Sequence, residues 1–248
     1  MITLSIETST IFGGIAIIDD NTGIIAESRL NVKTTYSERL MPEIDHIIKT
    51  SHINIKDIDF FSVSIGPGSF TGLRIGLSTA KGFAFSTGKP IVAVPTLEAF
   101  AWNFPYCKHP ICIMLDAKKK EVYTAIFIWE FQECKKILGE ISINIIDLID
   151  KISKNSFNKQ YNNKSKKDKY NKIIFAGDGA ILYKDTITSK LGDIALFPPM
   201  DKMVPSPANV GILGLKKAKR GEFSDSIKLT PFYIRKSEAE IRYQNKFL

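Results

Sequence analysis

Cysteine and histidine are scarce, with three of each in 248 residues. Cys107, Cys112 and Cys134 form no Cys-x-x-Cys pair, and an odd set of scattered thiols fits a reducing compartment better than a disulfide framework. His46, His52 and His109 show neither His-x-x-x-His nor His-Glu-x-x-His spacing, so no zinc or iron centre is expected on this chain alone. The opening Ile2-Thr3-Leu4-Ser5-Ile6 carries no basic leader or cleavage signal, and no apolar run approaches the ~18 residues of a membrane span. A cytoplasmic protein without membrane association is expected.

Outside one segment the chain also lacks net charge. The formal charge is +8, yet residues 151 to 172 hold eight lysines against the single acid Asp168, a net +7, which leaves +1 for the other 226 residues. A basic chain invites a nucleic-acid reading. Here the charge sits in a stretch rich in Asn and Ser, with no sustained helical or strand period. Residues 154 to 171 read as a solvated, mobile loop, with an RNA-contacting segment as the alternative. What remains, at 44% hydrophobic and 24% charged residues overall, is the text of a globular body.

That body opens as a strand meander, Ile2 to Ile6, Gly13 to Ile18 and Gly23 to Asn31, with Asp19 to Gly23 as a hairpin turn. Leu40, Met41, Ile44, Ile47 and Ile48 then fall within about 120° of arc and predict an amphipathic helix starting near Ser37, which is placed to cap it. Phe60 to Ile65 is a short strand running into a glycine-rich turn. Helical text follows to Thr87, where Gly88-Lys89-Pro90 stops it. Ile91 to Val94 is a strand, and Thr96, a second expected cap, opens another helix. Asn103 to Pro110 is the best lobe boundary, so residues 1–104 and 105–248 are expected to form two lobes. Strands restart at Ile111 to Leu115, Val122 to Trp129 and Ile173 to Ala176, the last leading through Gly177-Asp178-Gly179 into a helix near Ile181. Pro207 to Lys219 is a helix expected to pack back on the first lobe. Strands then helices, twice over, predict a two-lobe α/β protein with mixed sheets.

A strand, a glycine-rich turn and a helix together make a generic anion cradle. Gly66, Gly68 and Gly72 nevertheless give Gly-x-Gly-x-x-x-Gly, Pro67 removes one donor, and Leu73-Arg74 replaces the Lys-Ser/Thr of a P-loop. Gly72, Gly76 and Ala80 form a column without bulk beside Phe70, Leu73 and Leu77. Each internal glycine costs a helix roughly 1 kcal/mol relative to alanine, so the column implies close approach of another backbone. On composition alone that backbone is more often the chain's own.

Gly66 to Gly76, GPGSFTGLRIG, together with Leu4-Ser5-Ile6-Glu7-Thr8-Ser9, Ser37-Glu38-Arg39-Leu40-Met41-Pro42 and Asp116-Ala117-Lys118-Lys119-Lys120-Glu121-Val122-Tyr123, closely resembles the TsaB (YeaZ) family. Gly177-Asp178-Gly179 and Pro231-Phe232-Tyr233-Ile234-Arg235 extend the resemblance over most of the chain. The resemblance implies a two-lobe actin, sugar-kinase and Hsp70-like (ASKHA) fold with a degenerate nucleotide site. It implies a non-catalytic subunit of tRNA threonylcarbamoyladenosine biosynthesis. Such a subunit binds the catalytic, metal-carrying TsaD, and with the ATPase TsaE the complex modifies N6 of adenosine 37 in tRNAs reading codons that begin with A. The first two helices are then expected to meet TsaD, through Leu40, Ile44, Ile47, Phe70, Gly72, Leu73, Arg74, Gly76, Leu77 and Ala80. The resemblance thus turns the small column toward a subunit interface, and a lone chain with such a face is expected to form homodimers.

No cofactor is expected on this chain alone, with ATP or ADP placed at the joint with TsaD and tRNA reached through the complex. Glu7, Gly66, Gly68 and Gly179 are the candidates for nucleotide contact. They also support the alternative, a stand-alone ATP-dependent enzyme of the same superfamily. Many relatives have His where this chain has Tyr36, and Asp where it has Glu7. No catalytic residue or metal ligand is assigned.

Overall fold

A computed structural model of the chain describes residues 1–31, 35–154 and 172–235. The lysine-rich call, residues 154 to 171, lies outside the described residues except for Lys154. Strands β1 (Ile2–Glu7), β2 (Gly13–Asp19), β3 (Gly23–Leu30), β4 (Phe60–Ser64) and β5 (Ile91–Val94) form one sheet in the order β3-β2-β1-β4-β5. β1–β2 and β2–β3 are antiparallel, while β1–β4 and β4–β5 are parallel. The second sheet is built from β6 (Ile111–Asp116), β7 (Glu121–Glu130), β8 (Glu133–Asn144), β9 (Ile173–Ala176) and β10 (Ala195–Leu196), in the order β10-β9-β6-β7-β8. Its pairings repeat those of the first sheet, with β6–β7 and β7–β8 antiparallel and β6–β9 and β9–β10 parallel. Meander, crossover, crossover therefore occurs twice.

Strand alternation assigns each face of the first sheet. Leu4, Ile6, Ile15 and Ile17 point to one side and are covered by α1 (Tyr36–Ser51) and α2 (Phe70–Thr87) through Leu40, Ile44, Ile47, Leu77, Ala80 and Ala84. Ala16, Ile18 and Phe60 point to the other side and meet α7 (Pro207–Lys219) through Ala208, Val210 and Leu213. That second face is partly polar, and the approach of α7 satisfies it: Ser5 Oγ donates to Pro207 O at 2.7 Å, and a Cβ on Gly211 would lie 3.1 Å from Ser5 Oγ. α3 (Thr96–Ala101) turns Leu97, Phe100 and Ala101 onto Ile111, Ile113 and Phe127 of the second sheet, and Ala99 joins the α7 layer. α4 (Ile145–Ser153), α5 (Asp178–Leu182) and α6 (Lys184–Leu191) lie on the far side, packing Leu148, Ile149 and Ile187 on Met114, Val122 and Phe175.

Two expected caps are corrected. Thr35 precedes α1, and Ser37 lies inside its first turn, where its hydroxyl pairs with that of Thr35 at 2.8 Å. Pro95 precedes α3, while Thr96 Oγ1 instead accepts from the Gly66 N–H at 3.1 Å, tying α3 to the glycine turn. Ser69 caps α2, accepting from the Gly72 N–H at 3.2 Å. Ser206 caps α7.

Candidate functional site

The carboxyl ends of β1 and β4 face those of β6 and β9 across a cleft of about 400 Å³ between the lobes. Ser9, Gly68 and Ser69 form its first-lobe wall, Asp116, Lys118, Tyr123 and Asp178 its second-lobe wall, and Phe232 to Arg235 lie along it. Of the four nucleotide candidates only Gly68 lines this cleft. Glu7 is fully buried, one carboxylate oxygen accepting from the Ser9 N–H at 2.7 Å while Oε2 has no hydrogen-bond partner. Burial pushes its carboxyl above the ordinary 4.5, and the hydrogen bond from the Ser9 N–H pulls it partly back. Gly66 adopts a φ of +121°, its N–H engaged by Thr96 and its α-carbon covered by Phe232 O, 2.5 Å from where a Cβ would stand. Gly179 is buried against Met114, and its N–H is turned to the side chain of Asp178 at 2.9 Å.

Two further donors of the turn are taken. The Ser69 N–H bonds Ser9 O at 2.6 Å and the Gly72 N–H bonds the Ser69 hydroxyl. Across the cleft, Asp178 Oδ1 accepts from the N–H groups of Asp116 and Gly179, and desolvation holds its carboxyl above the usual range. Asp116 is paired with Lys118 Nζ at 2.6 Å, which raises the lysine. A nucleotide's phosphates would find the N–H groups of Gly66, Ser69 and Gly72 already engaged, and Glu7 buried away from the cleft. Among the described residues no cluster of His, Cys, Asp and Glu could hold a metal ion.

The expected partner-facing residues need a larger correction. Leu40, Ile44, Ile47, Leu73, Leu77 and Ala80 are each at most 4% exposed and belong to the first lobe's own interior. The small column faces β1: a Cβ on Gly72 would overlap Thr8 O, and one on Gly76 would overlap Thr8 Oγ1, which itself donates to Gly72 O at 2.8 Å. The approaching backbone is therefore the chain's own. Only Phe70 and Arg74 of that set reach the surface.

What the two helices present outward is different. Met41, Ile48, His52, Ile53 and Phe83 line a groove of about 530 Å³, with Ile44 at its floor. Met41 is 53% and Phe85 94% exposed, both large apolar side chains on the outer side of these helices. Near the helix N-termini Tyr36 is buried. Its hydroxyl donates to Thr10 O at 2.9 Å, and Arg39 lies 4.2 Å over its ring. Burial, then the charge of Glu7, pushes the Tyr36 hydroxyl far above the ordinary range, which makes it a structural donor rather than an acid or base. The sequence expectations missed this groove because the apolar stripe of α1 is wider than the face it buries. They also missed Phe232 to Arg235 as cleft residues, although the Pro-Phe-Tyr-Ile-Arg string was their only local signal.

Duplicated lobes with this strand order, facing each other across a cleft at their strand ends, define a protein of the actin, sugar-kinase and Hsp70 type. The family model described as TsaD: tRNA N6-adenosine threonylcarbamoyltransferase matches residues 18–243. The tRNA threonylcarbamoyladenosine biosynthesis protein TsaB of Bacillus subtilis is 29% identical over 243 residues, 98% of each chain. That of Buchnera aphidicola from Acyrthosiphon pisum is 32% identical over 152 residues, 56% of this chain and 68% of the relative. The solved structure of YeaZ from Pseudomonas aeruginosa superimposes with a TM-score of 0.72 at 19% identity, over 94% of this chain and 99% of that one, a likeness of fold. The chain belongs to the TsaB (YeaZ) family, within the wider group that the TsaD model describes.

Proposed function

We propose that this chain is a non-catalytic subunit required for threonylcarbamoylation of N6 of adenosine 37 in tRNAs reading codons that begin with A. It acts by binding and supporting a TsaD-like catalytic subunit, together with a TsaE-like ATPase, in the cytoplasm. The observation that carries this reading is the engaged glycine turn beside the cleft. Where a nucleotide would sit in a two-lobe protein of this type, the N–H groups of Ser9, Gly66, Ser69 and Gly179 are already bonded within the chain. The same feature disfavours the stand-alone ATP-dependent enzyme. ATP or ADP in the complex is held at the joint with TsaD, and tRNA is reached through the complex.

The docking face is the outer side of α1 and α2, with Met41, Ile48, Phe83 and Phe85 supplying apolar contact and Phe70 and Arg74 at its edge. Without its partner that face supports homodimers of the lone chain. The test is titration of the purified chain with its cognate TsaD. Saturable one-to-one binding is expected, and it is lost when the outer face carries a charge. Binding that survives charges at both Met41 and Phe85 would contradict the assigned face.

A further inference from the structure

Residues 232–235 cross the mouth of the cleft and touch both lobes. The Phe232 N–H donates to Ile65 O at 2.7 Å, so the segment's backbone is laid directly onto the glycine turn. The Tyr233 ring stacks on Phe70 at 4.8 Å between centroids, and its hydroxyl accepts from Arg74 Nε at 2.9 Å. The Arg74 guanidinium also lies 3.8 Å over the Phe70 ring, so three side chains from α2 and the segment form one stacked group. Arg235 then reaches the second lobe, with Nη1 3.4 Å from Glu121 Oε2, an oxygen that also accepts from Ser142 Oγ on β8 at 3.0 Å. Phe232 is 43% and Tyr233 36% exposed, so the segment rests in the cleft without being sealed into either core.

We propose that residues 232–235 are a built-in latch, lying along the cleft and tying the two lobes at a fixed spacing. Phe232 on Ile65 and Tyr233 in the Phe70–Arg74 stack hold the segment to the first wall, while Arg235 keeps the second wall in register with the first. Gly66 is buried beneath the latch, and glycine there lets the Phe232 carbonyl close onto the turn. This inference stands apart from the partner reading, since it concerns only contacts within the chain.

Amide hydrogen exchange on the full-length protein tests it, comparing the parent with Tyr233→Ala, Tyr233→Phe and Glu121→Gln. Loss of the stacked ring should speed exchange about tenfold in both walls, residues 65–70 and 117–123, while β1 and β6 keep the parent's protection. Tyr233→Phe, which keeps the ring, should stay near the parent, and Glu121→Gln should speed exchange at 117–123. Acceleration by Tyr233→Ala confined to 232–235 or to the first wall would overturn the latch, because joining two lobes is its content. A rise spread equally into β1 and β6 would overturn it as well, since the segment would then belong to the folding core.

Discussion

Gly76 and Gly82 lie on the same helix, six residues apart, and alanine at each is expected to move stability in opposite directions. At Gly82, exposed with nothing within 4 Å of the new methyl group, alanine removes only the conformational cost of glycine, a gain of up to about 1 kcal/mol. At Gly76 the same gain is opposed by two losses. The methyl group overlaps Thr8 Oγ1 and stands 3.3 Å from Ile6 Cγ2, in an interior where overpacking costs about 1–3 kcal/mol. Moving Thr8 also breaks its 2.8 Å bond to Gly72 O. A buried donor left unpaired in this way costs a further ~1–3 kcal/mol. Gly76→Ala should therefore lose about 1–5 kcal/mol net, a fall in melting temperature of roughly 2–20 °C for a chain of this size. Thermal unfolding followed by circular dichroism, with urea midpoints as a second readout, measures both variants side by side. If Gly76→Ala proves as stable as Gly82→Ala, the small-residue column is not packed on β1, and its assignment to a subunit interface returns.

Three further outcomes follow from the same contacts. Met41→Glu, at a side chain 53% exposed, should leave the melting temperature within about 2 °C of the parent yet weaken TsaD binding at least about tenfold; unchanged affinity by titration calorimetry would move the docking face elsewhere. Glu7 is raised by burial above its ordinary 4.5, so the folded chain keeps a proton that the unfolded chain has released. Stability should then fall as pH climbs from the unfolded value toward the folded one, and Glu7→Gln should flatten that slope and be the more stable protein at pH 7. Parallel pH profiles for the two proteins would refute the buried-acid account. Burial pushes the thiols of Cys112 and Cys134 up to about 12, so brief alkylation of the native protein at pH 8 should modify Cys107 ahead of both. Mass spectrometry showing a modified Cys112 without unfolding would contradict it.

Local patterns made much of the first lobe legible. The β1–β3 meander, the stripe on α1 and the Gly88 stop of α2 each rest on neighbours in sequence, and the structure contains all three. β8 was missed because Glu133, Lys135, Lys136 and Glu140 break its apolar alternation on a strand that is only half covered. α4 was missed although Ile145, Leu148, Ile149 and Ile152 are spaced for one buried helical face, because it is short and adjoins the lysine-rich stretch. The site was less legible for a physical reason. Glycine at 72 and 76 signals close approach, but only the position of Thr8 decides whether the visitor is a partner or the chain's own first strand. Likewise Tyr233 lies 159 positions from Arg74, a pairing that no local pattern contains.

The measurement that bears most directly on the proposed role is formation of N6-threonylcarbamoyladenosine in a reaction rebuilt from TsaD, TsaE, this chain, substrate tRNA, ATP and the threonine-derived donor, with each protein omitted in turn. Product is expected only when this chain is present, and it should disappear when the TsaD active site is inactivated or when this chain carries Met41→Glu. The chain alone should neither modify tRNA nor turn over ATP. Modification at the full rate without the chain, or ATP turnover by the chain in the absence of TsaD, would contradict the account.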